Sequence, residues 1–86
     1  MVKQDVLITN PTGIHARPAT MLVDLSKKFE SNIVIEFEGI KINPKSILSV
    51  LSGELKSGKK ISVDASGPDA NEAVNAICNF IRTLKE

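Results

Sequence analysis

The first residues of the chain alternate between apolar and polar side chains, which is the period of a strand with one buried face. The apolar members of this alternation are Val2, Val6 and Ile8. Residues 10–13, NPTG, end the strand, because proline fixes φ and glycine accepts positive φ. The apolar period then changes to steps of three and four, which predicts an amphipathic helix that starts near Ala16. The buried stripe predicted for this helix consists of Ala19, Leu22, Leu25 and Phe29.

A β-hairpin is predicted after the first helix. Alternation at period two resumes after Asn32 and continues on both sides of Glu38-Gly39, which predicts two strands joined by a two-residue turn. If Phe37 and Ile40 face each other across this turn, every apolar residue of the hairpin lies on one face of the sheet. These apolar residues are Ile33, Ile35, Phe37, Ile40 and Ile42. The hairpin therefore has an apolar face that needs a covering layer.

The second half of the chain predicts a short helix, a fourth strand and a last helix. Ser46 is placed as the N-cap of an apolar helix over about residues 46–52, and Gly53 as its end. Alternation over residues 61–65 predicts the fourth strand. Asp69 and Glu72 have the spacing of a capping box at the start of the last helix, with Asp69 as the cap. The core stripe of the last helix is predicted to be Ala73, Ile77, Phe80 or Ile81, and Leu84.

The predicted element order, β-α-β-β-α-β-α, indicates an α+β fold. Four strands with one apolar face each need a cover, and the two longer helices each have one matching apolar stripe. A four-stranded antiparallel sheet with helices on one face is the simplest arrangement that buries both. The length predicts a single domain over residues 1–86.

The composition argues against several classes of protein. Eleven Lys and Arg residues against ten Asp and Glu give a net charge of +1, so binding to nucleic acid through bulk electrostatics is not expected. One cysteine and one histidine argue against an internal disulfide and a structural metal site. The chain has no apolar run long enough for a signal peptide or a membrane span. We expect a cytoplasmic protein with no metal and no cofactor.

The candidate chemistry lies around the only histidine, at the junction between the glycine-containing turn and the first helix. At a helix start the backbone N–H groups of Ala16 and Arg17 lack intrahelical acceptors, and the helix end carries about half a positive charge. Pro18 suits the first turn, where its missing N–H costs nothing. The Arg17 guanidinium matches the oxygens of a phosphate. This segment, with His15 at its start, is therefore a candidate anion site.

A histidine beside an anion site has two chemical interpretations. A protonated imidazole would be a passive ligand, whereas a neutral ring nitrogen can attack phosphorus while nearby donors stabilise the phosphoryl oxygens. A helix N-terminus favours the neutral form, because it disfavours an added positive charge. A lone histidine next to a turn is most often a surface residue or a helix cap, so the local pattern alone predicts only an anion site.

Residues 13–20, GIHARPAT, resemble the active-site signature of the HPr family, the histidine phosphocarriers of the bacterial phosphoenolpyruvate-dependent sugar phosphotransferase system. Residues 45–48 resemble the family's regulatory serine segment, residues 65–67 its fourth strand, and residues 71–73 the opening of its last helix. The resemblance extends over nearly the full chain without an evident gap. It implies the family fold, an open-faced β-sandwich of four antiparallel strands with three helices on one side.

The resemblance also implies a function. His15 would accept a phosphoryl group on Nδ1 from phosphorylated Enzyme I and pass it to sugar-specific EIIA components, with Arg17 stabilising the phosphate. The chain would then be a covalent intermediate in phosphoryl transfer and not an enzyme. We expect a monomer, since a carrier presents one face to successive partners.

Two alternatives remain open. The same chemistry could serve a regulatory or nitrogen-type branch of the phosphotransferase system. The chain could instead be a regulatory binding module that depends on phosphorylation, like the Crh relatives that lack the active histidine. The presence of His15 counts against the second alternative.

Ser46 has a structural interpretation and a regulatory one. As an N-cap its hydroxyl accepts a hydrogen bond from one backbone N–H, which is worth about 1 kcal/mol. In Gram-positive relatives the matching serine is phosphorylated by an HPr kinase/phosphorylase, and family members also bind a catabolite-control transcription factor. A phosphate adds about −1.5 to −2 charge at a helix N-terminus that tolerates it. We therefore expect the modified chain to stay folded and to dock more weakly.

The short helix has more apolar residues than one buried face requires, so at least one of them, Leu48 above all, is expected to be exposed. The resemblance places this helix beside His15, as a docking patch for Enzyme I, EIIA and the kinase. The expected docking residues are Thr20, Ile47, Leu48 and Leu51. Departures from the family pattern occur at Asp24, Pro44 and Gly53-Glu54, none of which replaces His15 or Arg17.

Overall fold

In the computed structural model, which describes residues 1–85, four strands and three helices follow the predicted order. The elements are β1 (Val2–Leu7), α1 (Ala16–Ser26), β2 (Asn32–Phe37), β3 (Ile40–Ile42), α2 (Ile47–Ser52), β4 (Lys60–Ser66) and α3 (Ala70–Thr83). The strands form one antiparallel sheet in the order β1-β4-β2-β3, so β1 and β3 are its edges. The predicted α+β fold is confirmed.

The hydrophobic core lies between one face of the sheet and the helices. α3 packs against β1 and β4, and α1 packs against α2 and α3. Burial alternates along β2 and β4, as the period-two pattern predicts. The inward residues of β4 are Ile61, Val63 and Ala65. None of the helices within residues 1–85 is long and apolar enough to cross a membrane.

The β2–β3 hairpin has the predicted turn and register, but its end is not covered. Glu38 and Gly39 have φ of 50° and 81°, the geometry that fits a two-residue hairpin to the twist of its strands. Phe37 pairs with Ile40, so the two side chains share a face. Phe37 is only 7% exposed, whereas Ile40 is 52% exposed. Since β3 is a three-residue edge strand, the apolar face of the sheet is left open beside it.

The capping box predicted for α3 is wrong. Asp69 is the N-cap residue, but its side chain makes no capping hydrogen bond. Its Oδ1 accepts hydrogen bonds from the backbone N–H of Ser31 at 2.9 Å and from the Ser31 hydroxyl at 2.5 Å. Its Oδ2 accepts from the backbone N–H of Glu30 at 2.9 Å. The carboxylate therefore ties the start of α3 to the connection between α1 and β2.

This tie predicts a pH dependence of stability. The Ser31 hydroxyl, followed by the Glu30 N–H, holds the pKa of Asp69 below its ordinary value of 3.8. Because the folded pKa is the lower one, the charged carboxylate stabilises the fold above pH 3.8, and this contribution is lost as the pH falls through the folded pKa. We expect Asp69→Asn to lower the midpoint of urea unfolding at pH 7, and the difference from wild type to narrow in acid.

Urea unfolding over a series of pH values measures this difference. Glu72→Gln, at the other position of the expected capping box, is the control for loss of a carboxylate from the first turn of α3, and it should lower the unfolding midpoint at pH 7 by less than Asp69→Asn does. If the difference in unfolding midpoint between wild type and Asp69→Asn were the same at every pH, the proposed stabilisation by the charged Asp69 carboxylate would be contradicted.

Candidate functional site

His15 lies at the N-cap position of α1, where the turn of residues 10–13 leads into the helix. Its backbone is extended, with φ of −140° and ψ of 161°, and its side chain makes no capping hydrogen bond. The residue is exposed. The helix-cap interpretation of this histidine is therefore wrong, and its imidazole is accessible to a partner.

Ala16 leads the chain into α1 through a left-handed backbone conformation. Its φ is 51°, a region that costs about 1–2 kcal/mol for a residue with a Cβ. Pro18 is buried in the first turn, as the sequence predicts. Backbone strain of this kind is common at functional sites, where surrounding contacts hold it in place. The apolar pattern contains no signal for it, since alanine is an ordinary helix residue.

Two hydrogen bonds hold the turn that precedes His15. Asn10 is buried and donates from Nδ2 to the carbonyl of Gly13 at 2.7 Å. The N–H of Ile14 donates to the carbonyl of Leu55 at 2.8 Å. Gly13 has φ of 69°, and a Cβ at this position would lie 2.5 Å from the Leu55 oxygen. The position of His15 therefore depends on the loop that follows α2.

His15 lines a surface cavity of about 290 Å³ between this turn and the loop after α2. The other lining residues are Thr12, Ile14, Leu51, Glu54, Leu55 and Lys56. Sequence analysis identified Leu51 but missed Thr12, Glu54 and Lys56. Thr12 lies in the turn predicted over residues 10–13, and Lys56 lies in the connection between the short helix and the fourth strand. Their approach to His15 depends on the contact between these two segments. Glu54 was singled out only as a departure from the family pattern.

The other predicted site residues lie on the exposed sides of α1 and α2. Arg17 is exposed in the first turn of α1, two residues after His15. Thr20 is exposed one turn later, and its hydroxyl approaches the Ala16 carbonyl at 3.5 Å. α1 also contributes Met21, an exposed apolar side chain that sequence analysis missed.

Three apolar residues of α2 form a surface that we call the α2 patch: Ile47, Leu48 and Leu51. They are 39%, 75% and 37% exposed, whereas Val50 on the opposite side of the helix is fully buried. The expected exposure of Leu48 is confirmed. Because Leu51 also lines the cavity beside His15, the α2 patch is continuous with the surroundings of the histidine.

Ser46 is the N-cap of α2, as predicted, and its Oγ accepts a hydrogen bond from the N–H of Ser49 at 3.3 Å. The preceding Lys45 is held elsewhere. Its Nζ donates to the carbonyls of Phe29 at 2.7 Å and Ser31 at 2.9 Å. A negative charge added at Ser46 is therefore not neutralised by this lysine while these two hydrogen bonds persist.

The fold and the site together define a class of small α+β domain that presents one exposed histidine at a helix N-terminus, next to an apolar surface. The family model described as the PTS HPr component phosphorylation site matches residues 2–83. The chain therefore belongs to the HPr family of phosphocarriers.

Three solved structures show how widely this likeness extends. HPr-C-His from Thermoanaerobacter tengcongensis is 36% identical, with 96% of this chain and 93% of that chain covered and a TM-score of 0.93. Phosphocarrier protein HPr from Bacillus anthracis str. Ames is 32% identical, with 93% and 95% covered and a TM-score of 0.90. The Bacillus subtilis catabolite repression protein Crh, described as a swapped dimer, is 33% identical, with 95% and 94% covered and a TM-score of 0.77.

Proposed function

We propose that this chain is the phosphocarrier of a sugar phosphotransferase system, accepting a phosphoryl group on His15 from phosphorylated Enzyme I and passing it to EIIA components. The observation that carries the proposal is the position of His15 at the N-terminus of α1, on the wall of an open cavity. Its side chain is exposed and makes no hydrogen bond to the helix end. A histidine recruited to cap the helix would be hydrogen-bonded to it, and a core histidine would be buried.

The acceptance step requires a ring nitrogen that carries a free electron pair. Nδ1 of neutral His15, by analogy with the family, attacks phosphorus, and the bond between phosphorus and the donor atom breaks with its electron pair left on the donor. Backbone N–H groups at the start of α1 and the Arg17 guanidinium stabilise the phosphoryl oxygens. Transfer to EIIA repeats the exchange, with His15 as the leaving group.

The α2 patch, with Thr20 on α1, is the proposed docking surface for Enzyme I and EIIA. Exposed apolar side chains next to a reactive group are typical of surfaces that bind partners in succession. The proposed working form is a cytoplasmic monomer, because each partner in turn must reach the same site.

Phosphorylation by a matching Enzyme I tests the proposal. The chain is incubated with phosphoenolpyruvate and Enzyme I from the same source, and the product is analysed by mass and by stability to acid. We expect one acid-labile phosphate on His15, which is lost when a cognate EIIA is added. No labelling by an Enzyme I that phosphorylates another HPr would overturn the proposal.

The proposed regulatory site, Ser46, yields a separate prediction. Aspartate is as good an N-cap as serine and adds a negative charge, so Ser46→Asp should stay folded while repelling an acidic partner surface. We expect the free energy of unfolding, measured in urea, to change by less than about 1 kcal/mol. We expect the concentration of Ser46→Asp that gives the half-maximal rate of phosphoryl transfer from Enzyme I to be roughly tenfold higher than that of the wild type.

Ser46→Asn is the matched control, because asparagine caps the helix equally well without charge. It should transfer phosphate like the wild type. If Ser46→Asn were impaired as strongly as Ser46→Asp, the effect would come from the lost hydroxyl, and regulation by charge at this position would be wrong. An HPr kinase with ATP should place an acid-stable phosphate on Ser46. Labelling of Ser46 together with an unreactive His15 would favour the regulatory alternative.

A further inference from the structure

The loop after α2 contains a glutamate in a conformation that is unfavourable for it. Glu54 has φ of 51°, a region that glycine and asparagine occupy readily after a helix. The chain does have a glycine nearby, but Gly53 adopts ordinary right-handed geometry with φ of −72°. Gly53 is required for another reason, since a Cβ there would collide with the side chain of Ile42. A non-glycine residue in a strained backbone conformation is a candidate for a functional role when it lies beside a reactive group.

Glu54 and His15 are neighbours on the surface of the fold. Glu54 lines the cavity of about 290 Å³ together with His15, and it also borders a second cavity of about 240 Å³ beside the β2–β3 hairpin. Lys56 borders both cavities as well. Within the described residues 1–85, the two side chains form no ion pair with each other, whereas Lys59 pairs with Glu38 at 3.7 Å. The cavity beside His15 thus has one negative and one positive side chain on its wall.

We propose that Glu54 raises the phosphoryl-transfer potential of His15, making the phosphorylated histidine less stable than it would be with Lys56 alone beside it. The inference rests on the proposed function of His15. A phosphoryl group on the imidazole places two negative charges beside a cavity that Glu54 lines. For a dianion about 8 Å from a carboxylate, Coulomb's law with screening at 0.01 M salt predicts about a fourfold shift in the transfer equilibrium.

Lys56 acts on the same group with the opposite sign. Lys56 lines the same cavity, and attraction between its ammonium and the phosphoryl oxygens stabilises phosphorylated His15 by a comparable factor. The two residues therefore shift the same equilibrium in opposite directions, and substitution of either one leaves the effect of the other unopposed. Both effects should shrink at high salt, because the Debye length falls from about 30 Å at 0.01 M to about 3 Å at 1 M.

The experiment measures an equilibrium ratio. The chain and Enzyme I are brought to equilibrium with a fixed ratio of phosphoenolpyruvate to pyruvate, and the phosphorylated fraction of the chain is measured by intact mass. This ratio does not depend on how fast the partners dock, so a residue that acts only in docking would change the rate and leave the ratio unchanged. At 0.01 M salt, we expect Glu54→Gln to raise the ratio of phosphorylated to free chain about fourfold, and Lys56→Gln to lower it by a similar factor.

Two control variants separate charge at this position from charge in general. Glu54→Asp keeps the charge, and aspartate tolerates the left-handed conformation, so the ratio should stay within about twofold of wild type. Glu30→Gln removes the same charge beyond the far end of α1, a helix about 16 Å long, and should change the ratio by much less than Glu54→Gln does.

The outcomes distinguish this inference from the proposed function. A wild-type chain that takes no phosphate overturns both. A wild-type chain that is phosphorylated on His15, with the same ratio in Glu54→Gln, overturns the role of Glu54 and leaves the phosphocarrier proposal intact. A shift that is as large at 1 M salt as at 0.01 M salt also contradicts it, since the effect would not be electrostatic.

Discussion

His15→Ala is expected to abolish phosphate acceptance from Enzyme I while leaving the fold intact. The chain has one histidine, so no second imidazole can replace the lost ring nitrogen. His15 is exposed and its side chain makes no capping hydrogen bond, so we expect the free energy of unfolding to change by no more than about 0.5 kcal/mol. Labelling with phosphoenolpyruvate and Enzyme I, together with urea unfolding, measures both quantities.

His15→Gln provides the matched control, because glutamine keeps a polar side chain of similar size without a nucleophilic nitrogen. It should be as unreactive as His15→Ala and equally stable. Acid-labile phosphate on either variant would mean that the acceptor is another residue. Unfolding of either variant at a clearly lower urea concentration would show that His15 also has a structural role.

Gly13→Ala is expected to destabilise the fold and to displace the acceptor. At φ of 69° an alanine is strained, and its Cβ would approach the Leu55 oxygen to 2.5 Å. Relief of that contact separates the turn before His15 from the loop after α2 and weakens the hydrogen bond from Ile14 to Leu55. We expect the free energy of unfolding to fall by about 2–4 kcal/mol, because backbone strain and overpacking both destabilise the variant. Labelling of His15 should slow even under conditions where the variant is fully folded.

Gly58→Ala isolates the contribution of the close approach. Gly58 also has positive φ, 87°, but a Cβ there meets no atom within 4 Å. The free energy of unfolding of Gly58→Ala should therefore fall by only about 1 kcal/mol, because of the backbone conformation alone. Urea unfolding of both variants gives the difference, and equal losses would show that contact with Leu55 is unimportant.

The element order and the register of the β2–β3 hairpin could be predicted, because both depend on local features of the sequence. The register of Phe37 against Ile40 follows from a two-residue turn, whose geometry fixes the pairing. The exposure of Ile40 could not be predicted, because the alternation gives the face of a residue but not how far the helices extend over that face. The failure of the capping box has a similar cause: Asp69 binds Ser31, a residue 38 positions earlier in the chain.

The candidate site was only partly predictable. His15 and Arg17 are recognisable because their signature is contiguous, and Ser46 because N-caps have a local preference. Lys56 and Thr12 approach His15 only when two turns distant in sequence meet, and no spacing rule reveals that contact. The left-handed conformation of Ala16 depends on surroundings that the sequence pattern does not describe.

The turn before His15 is completed by residues that a ribosome adds much later. Ile14 needs the carbonyl of Leu55, and the backbone of Ile8 exchanges hydrogen bonds with Gly58 and Lys59. When only the first half of the chain has left the ribosome, His15 is therefore present, but the residues of the loop after α2 that line the cavity beside it are not. We expect reactivity towards Enzyme I to arise only once the loop after α2 has been synthesised and has folded against this turn, so that the fraction phosphorylated with excess phosphoenolpyruvate reports the correctly folded molecules in a sample.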